Sequence, residues 1–219
     1  MKISQATRNR VEHRLRHWFD LAMPEHVAKG LVWYTEARAF ALEVSVWYKI
    51  PMPVVCGVIA ALSPSVFWEL NMVQARTLCR AHAEGGDLES VVVSTYGKQA
   101  EKARDILTCG HTNPGKVEDI LCRNVAGRRR AFKTLAFFRN ILNIGSLAVT
   151  IDQHIVAAAG FEEEFTQGAA WCYDLLADAI RDIAAPTGYR PYQVQAIIWT
   201  VYKATVGRRA PVVNEPAPF

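Results

Sequence analysis

Apolar residues recur at intervals of three and four along almost the whole chain, the spacing that places side chains on one face of an α-helix. In the first such segment, residues 8–22, apolar side chains share one face and arginines occupy another. Pro24 follows, which indicates that this helix ends nearby. Only residues 91–93 and 147–151 have a composition that suits extended backbone. The chain is therefore predicted to be all-α.

Glycines and prolines separate the helical segments and suggest how the chain is organised. A length of 219 residues suits one large domain or two small lobes. We expect N-terminal helices (1–50) packed on a core (51–160), C-terminal helices that complete a lobe (161–206), and a loose tail (207–219). The longer helices are predicted at 31–47, 51–62, 67–83, 98–107, 131–142, 153–159, 164–183 and 191–205.

The net charge of +4 is mildly basic and does not by itself indicate nucleic acid. The longest apolar stretch, 50–62, is short and contains two prolines, so no transmembrane segment is expected. The N-terminus has no apolar segment typical of a secretory signal. The five scattered cysteines form no C-x-x-C pair, so neither zinc nor an iron–sulfur cluster is expected. We expect reduced thiols, a cytoplasmic location in a bacterial or phage-infected cell, and no cofactor.

Two polar features stand out against the apolar pattern. Thr150 and Ile151 lead into Asp152 at the start of a predicted helix, where an aspartate ordinarily caps the backbone N–H groups. Upstream, Gly127 is followed by Arg128-Arg129-Arg130 at the start of another helix. Three arginines there oppose the helix dipole, so they suit either a solvated helix start or a bound phosphate.

Four short blocks with characteristic residues follow one another between positions 54 and 160. They are Ile59 to Ser63 with Asn71 and Ala75, Tyr96-Gly97 with Lys102 to Ile106, Lys133-Thr134, and Val149 to Ile155. In this order they resemble segments of the helix-hairpin-helix DNA glycosylases, especially the endonuclease III branch. The separation of 19 positions between Lys133 and Asp152 is close to the family's spacing. The resemblance implies two helical lobes with the active site in the cleft between them.

The segment from Gly127 to Asp152, with Phe137, Asn140 and Ile141, also resembles a phage branch of this superfamily. Members of that branch are associated with hypermodified thymine, and some are amino-acid:DNA transferases. The chain departs from the usual pattern at the hairpin, which has one glycine instead of two, so Arg128 to Arg130 would replace the second glycine's phosphate contact by charge. Gln153 stands where the family usually has threonine.

The resemblance also implies roles for individual residues. Asp152 would stabilise positive charge on the sugar, and Lys133 would attack C1′ or else contact a phosphate. His154 is expected more often as a structural residue than as an acid or base. The remaining candidates are DNA contacts at Lys102, Ser63 and Ser65, and a base pocket or wedge at Phe67, Trp68, Glu69, Asn71, His154, Gln195 and Trp199, for which core packing is the alternative.

Three functions remain open from the sequence. The first is an N-glycosylase that flips out and excises a modified or damaged pyrimidine from double-stranded DNA. The second is a transferase that joins an amino acid to a hydroxymethyl-type thymine in phage DNA. The third is a DNA-binding module of the same fold without catalysis. In each case the partner is DNA, no membrane is involved, and a monomer is expected.

Overall fold

The fold was examined in a computed structural model that describes residues 3–109, 113–123, 132–162 and 170–207. Within these ranges the regular structure consists of ten α-helices and one 3-10 turn, and no strand occurs, which confirms the all-α prediction. The 3-10 turn spans Leu88–Ser90. The helices are α1 (Gln5–Asp20), α2 (Pro24–Tyr48), α3 (Met52–Leu62), α4 (Trp68–Ala83), α5 (Gly97–Cys109), α6 (Pro114–Cys122), α7 (Phe132–Leu142), α8 (Gln153–Ala159), α9 (Ala170–Ala184) and α10 (Pro191–Gly207).

Pro24 begins a helix rather than only marking the end of one. It is the first residue of α2, where its fixed φ and missing N–H fit the first helical turn. The helix therefore starts earlier than the predicted 31–47. It ends at Lys49, which adopts the left-handed conformation with φ of 54°. The early start places Lys29 and Gly30 on α2, and both bear on the site described below.

The buried apolar side chains form two clusters. One is built by α2 to α7, and its largest members include Ile59, Leu62 and Phe138. The other is built by α1, residues 149–161, α9 and α10. Helix α10 serves both, because Tyr192 and Ala196 belong to the first cluster whereas Val194 and Ile198 belong to the second. The clusters thus group α1 with the C-terminal helices and do not follow the expected divisions at residues 50 and 160.

Helices α2 and α10 touch at a glycine. A Cβ added to Gly30 would lie 2.7 Å from the backbone nitrogen of Ile197, so only a residue without a side chain allows this approach. One turn along α2, Tyr34 reaches across to Gln195 of α10. The close contact at Gly30 therefore sets the distance between two walls of the site.

The segment before α8 is extended without being part of a sheet. The Tyr173 hydroxyl of α9 accepts a hydrogen bond from the Ile151 N–H at 3.2 Å and donates to the Val149 carbonyl at 2.7 Å. A side chain thereby satisfies the backbone groups that a neighbouring strand would otherwise pair. At its other end, α8 stops at Gly160, which has φ of 64°, and Arg14 of α1 donates to the carbonyl oxygen of Ala159.

Over the described part of the chain, no helix combines the length and the apolar character that crossing a bilayer requires.

Candidate active site

A cavity of about 120 Å³ lies where α2, α4, α7 and α10 meet the segment before α8. It brings together residues that are far apart in sequence, including the two predicted catalytic residues, Lys133 and Asp152. Both lie on its wall and both are half-buried. The lining residues are Trp33, Tyr34, Ser63, Val66, Trp68, Asn71, Lys133, Phe137, Thr150, Asp152, Gln195, Ala196 and Trp199.

Asp152 is held by three hydrogen-bond donors. Its Oδ1 accepts from the backbone N–H groups of His154 at 3.0 Å and Ile155 at 2.9 Å, the arrangement of a helix N-cap. Its Oδ2 accepts from the indole Nε1 of Trp199 at 3.0 Å. Hydrogen bonds to a carboxylate are stronger than those between neutral groups, so the orientation of this side chain is well fixed. Asp152 is therefore both a helix cap and a cavity residue.

Lys133 lies on the first turn of α7, facing the same cavity. Burial lowers the pKa of its ammonium, and the nearby negative charge of the Asp152 carboxylate opposes this shift. Within the described ranges Lys133 makes neither a hydrogen bond nor an ion pair. An amine with a lowered pKa and no partner carries a free lone pair at lower pH than an exposed lysine does, which suits a nucleophile.

Aromatic side chains form much of the wall. The Trp33 ring centroid lies 5.1 Å from that of Trp68, 5.7 Å from that of Phe137 and 6.3 Å from that of Trp199. Of these, Trp68 and Trp199 were expected from the sequence. The Lys203 ammonium lies 4.4 Å from the centroid of the Trp199 ring. The cavity therefore combines flat apolar surfaces with a carboxylate and an amine at one side.

The cavity adjoins a wider groove of about 740 Å³ that is open to solvent. Phe67, the N-cap of α4, stands in this groove with 78% of its surface exposed. Ser65 beside it has a positive φ of 60°, and its hydroxyl lies 2.7 Å from that of Tyr96. The lysines at the groove are Lys29, Lys133 and Lys203, and its carboxylates are Glu36, Glu69 and Asp152. The other sequence candidates that line it are Ser63, Trp68, His154 and Trp199.

His154 lies in the groove and not on the cavity wall. Burial lowers the pKa of its imidazole, and although Asp152 opposes this, Lys203 and Lys133 add to it. The ring is therefore neutral near pH 7, packed edge-on to Trp199 at 6.1 Å between centroids. The structural role expected for His154 from the sequence stays a prediction.

A second set of polar residues lies at the cavity, away from Lys133. The Tyr34 hydroxyl lies 2.9 Å from Thr150 Oγ1 and 3.0 Å from Gln195 Oε1. Asn140 donates through Nδ2 to Thr150 Oγ1 at 3.2 Å. Asn71 is 1% exposed and donates through Nδ2 to the Ile59 carbonyl at 3.1 Å. Asn71 and Gln195 were both candidates from the sequence, and both line the cavity.

Lys102 is not available to DNA. It is 6% exposed, and its ammonium donates to the carbonyl of Leu121 at 2.7 Å, near the end of α6. The predicted DNA contact at this residue is therefore wrong, because the lysine caps a neighbouring helix inside the protein. Its burial also lowers its pKa. The other predicted DNA contacts, Gly127, Arg128, Arg129 and Arg130, lie outside the described residues.

Metal-binding side chains do not cluster in the part of the chain that the structure describes. No group of three or more histidine, cysteine, aspartate or glutamate residues there is placed to hold an ion. The polar groups of the cavity itself are one carboxylate, one amine, two amides and hydroxyls. This set suits an organic ligand with hydrogen-bonding groups.

Comparison with known sequences gives one match. A family model described as a family of unknown function, DUF7178, matches residues 1–206. The chain belongs to the DUF7178 family. No curated protein and no solved structure matches it. All residues of the cavity and the groove lie within the part that the DUF7178 model covers.

Several site residues of this DUF7178 chain were not anticipated from its sequence. Trp33 and Tyr34 lie on α2, where aromatic side chains read as ordinary core residues, and Thr150 reads as part of the approach to Asp152. Lys29 and Lys203 are isolated lysines far apart in sequence. The sequence carries no signal that separates these residues, because core and cavity aromatics have the same helical spacing.

Proposed function

We propose that this protein is a DNA N-glycosylase that binds an extruded modified or damaged pyrimidine in the cavity and cleaves its glycosidic bond. The observation that carries the proposal is that Asp152 and Lys133 lie on the wall of one ring-sized, aromatic-lined cavity. The two-lobed arrangement of the helix-hairpin-helix glycosylases belongs to the same proposal. The position of α10 between two apolar clusters supports it.

The size of the cavity favours a single ring. Its volume of about 120 Å³ is slightly below the roughly 150 Å³ of an engineered protein cavity that holds benzene. A six-membered pyrimidine therefore matches it better than a two-ring purine does. Flat walls such as Trp33 and Trp68 offer stacking surfaces for such a ring.

A base reaches a cavity of this kind only after it leaves the DNA stack. Phe67 is exposed beside the cavity and is suited to fill the gap that an extruded base leaves in the duplex. The lysines at the groove, Lys29 and Lys203, supply positive charge for the phosphates on either side. The groove thus provides the contacts that extrusion requires.

The chemistry follows from the two ionisable groups. As the glycosidic bond breaks, its electron pair leaves with the base and positive charge develops at C1′ of the sugar. The Asp152 carboxylate stabilises that charge. The Lys133 amine donates its lone pair to C1′ and loses a proton to the solvent. The C1′–O4′ bond then breaks and its electron pair goes to O4′, which takes up a proton, while the nitrogen lone pair forms the C=N bond of an iminium with the opened sugar. Water that loses its proton to Asp152 is the alternative nucleophile.

The test is incubation of the protein with duplexes that each carry one modified or damaged pyrimidine, followed by nucleoside mass spectrometry. Release of free base supports the glycosylase. A gain of mass on the intact nucleoside would instead identify the transferase, the alternative favoured by the resemblance to the phage branch. DNA binding that leaves every nucleoside unchanged would identify a binding module.

A further inference from the structure

A hydrogen-bonded chain of four polar side chains, three of which line the cavity, takes no part in the chemistry proposed for Asp152. Tyr34, Thr150, Asn140 and Gln195 form a connected chain between α2, α7, the segment before α8, and α10. All four are buried, at 6% exposure or less. Each hydroxyl in such a chain has one proton and can donate only one hydrogen bond at a time.

The chain runs from Asn140 to Gln195. Asn140 Nδ2 donates to Thr150 Oγ1, which uses the oxygen of that hydroxyl as an acceptor. The single proton of the Tyr34 hydroxyl faces two acceptors, Gln195 Oε1 at 3.0 Å and Thr150 Oγ1 at 2.9 Å. Burial raises the pKa of Tyr34, which keeps its donating proton in place.

Gln195 Oε1 accepts from the Tyr34 hydroxyl, so its Nε2 donor is left for another partner, and within the described residues the protein provides none. Asn71 offers the opposite kind of group, an unpaired acceptor where Gln195 offers a donor. Its Nδ2 is occupied by the Ile59 carbonyl, and its Oδ1 is buried with no partner in the described part of the chain. A buried acceptor left unpaired costs about 1–3 kcal/mol, so a ligand donor there is favoured.

We propose that Gln195 and Asn71 select a ring that carries a carbonyl oxygen beside an N–H. Gln195 Nε2 donates to the carbonyl oxygen, and Asn71 Oδ1 accepts from the ring N–H. Tyr34 is a positioning residue that holds Gln195 in the donating orientation. This inference rests on the proposed function only in taking the ring to be a nucleobase, since binding needs no bond cleavage.

The test is binding of two free bases, followed by tryptophan fluorescence, because Trp33, Trp68 and Trp199 line the cavity. The probes are 1-methyluracil, which keeps an N–H between two carbonyls, and 1,3-dimethyluracil, which keeps the carbonyls and has no N–H. The expected result is at least about tenfold tighter binding of 1-methyluracil. Equal binding of the two, or no binding of 1-methyluracil, overturns the inference.

Two variants test the orientation of Gln195. Tyr34→Phe removes the hydroxyl that holds the amide, and the affinity for both probes is expected to fall, because both keep the carbonyl that Gln195 binds. Gln195→Glu replaces the donor with an acceptor and is expected to abolish binding of both probes. Tyr192→Phe is the matched control, because its hydroxyl donates to Ile144 and lies outside the chain, so both affinities should persist. Unchanged affinity for the probes in a folded Tyr34→Phe or Gln195→Glu protein overturns the inference.

The outcome is separable from that of the proposed function. Selective binding of 1-methyluracil together with no base release from any duplex would support the roles of Gln195 and Asn71 and contradict the glycosylase proposal. Base release together with equal binding of the two probes would support the glycosylase proposal and contradict the roles of Gln195 and Asn71.

Discussion

Asp152 combines two roles at the scale of a single residue. Two backbone N–H groups of α8 occupy its Oδ1, so capping alone fixes that oxygen, while Trp199 occupies Oδ2 from a different helix. The N-cap role is the ordinary one for an aspartate in this position. The bond from Trp199 is what aims the second oxygen, and it has no part in capping.

Trp199→Phe removes that indole donor and keeps an aromatic ring in the wall. A hydrogen bond to a charged group contributes about 1.5–3 kcal/mol, so base release is expected to slow by about tenfold to a hundredfold. Single-turnover base release measures the rate. Trp47→Phe is the control, because Trp47 is 63% exposed and lies outside the cavity. An unchanged rate of base release by folded Trp199→Phe would show that Trp199 does not position Asp152 for the reaction.

Lys133 should titrate below an ordinary lysine. Burial lowers its pKa and the charge of Asp152 raises it, so Asp152→Asn is expected to lower the pKa further. The neutral amine is the nucleophile in the proposed reaction, and its fraction rises as the pH rises through this pKa. The measurement is an NMR pH titration of protein whose lysines carry isotope-labelled methyl groups, with Lys133→Arg used to assign the signal. A midpoint at or above the ordinary value of 10.5 would contradict the account.

At the scale of elements, the contact between α2 and α10 shapes the cavity. Tyr34 and Trp33 come from one helix and Gln195 and Trp199 from the other, and Gly30 lets the two helices approach. Any residue that separates them lengthens the bond between Tyr34 and Gln195. The geometry of the polar wall is therefore a consequence of helix packing.

Gly30→Ala tests this contact. Alanine in place of a helical glycine ordinarily stabilises by about 1 kcal/mol. Here its Cβ would meet the Ile197 backbone, and overpacking costs about 1–3 kcal/mol, so net destabilisation is expected. Urea denaturation measures it. In Gly97→Ala, where a Cβ meets nothing within 4 Å, stability should be unchanged or higher. A stabilised Gly30→Ala protein would contradict the packing described here.

The helices and part of the site follow from local patterns. Apolar periodicity identifies helices because each buries one face, and Asp152 is recognisable because capping depends on its own neighbours. Lys102 was misassigned because its partner, the Leu121 carbonyl, lies on another helix. Trp33 and Tyr34 were not predicted as site residues for a related reason, because aromatic residues of the core and of the cavity have the same spacing along a helix. Only the packing of helices distinguishes them.

At the scale of the whole molecule, the groove brings together two lysines that lie near opposite ends of the chain. Lys29 lies on α2 and Lys203 on α10. The net charge of +4 gives no indication of this grouping. Their joint placement suits the phosphate backbone on either side of an extruded nucleotide.

The double variant Lys29→Gln/Lys203→Gln is expected to weaken DNA binding. Each lost phosphate contact reduces the slope of log affinity against log salt by about one. Fluorescence anisotropy at several salt concentrations measures that slope. Lys49→Gln is the control, because Lys49 is exposed at the other end of α2, roughly 30 Å from Lys29 at 1.5 Å per residue. An equal slope in the double variant and the wild type would exclude this path for DNA.

The most direct test of the account is base release by Asp152→Asn, compared with the wild type on the most active duplex from the panel. Asparagine retains an oxygen that can cap α8, so the protein should fold and bind the duplex as before, as thermal unfolding and anisotropy would verify. Loss of the negative charge should slow release by at least about a hundredfold. Release at the wild-type rate by a folded Asp152→Asn protein would contradict the central claim that this carboxylate acts on the sugar.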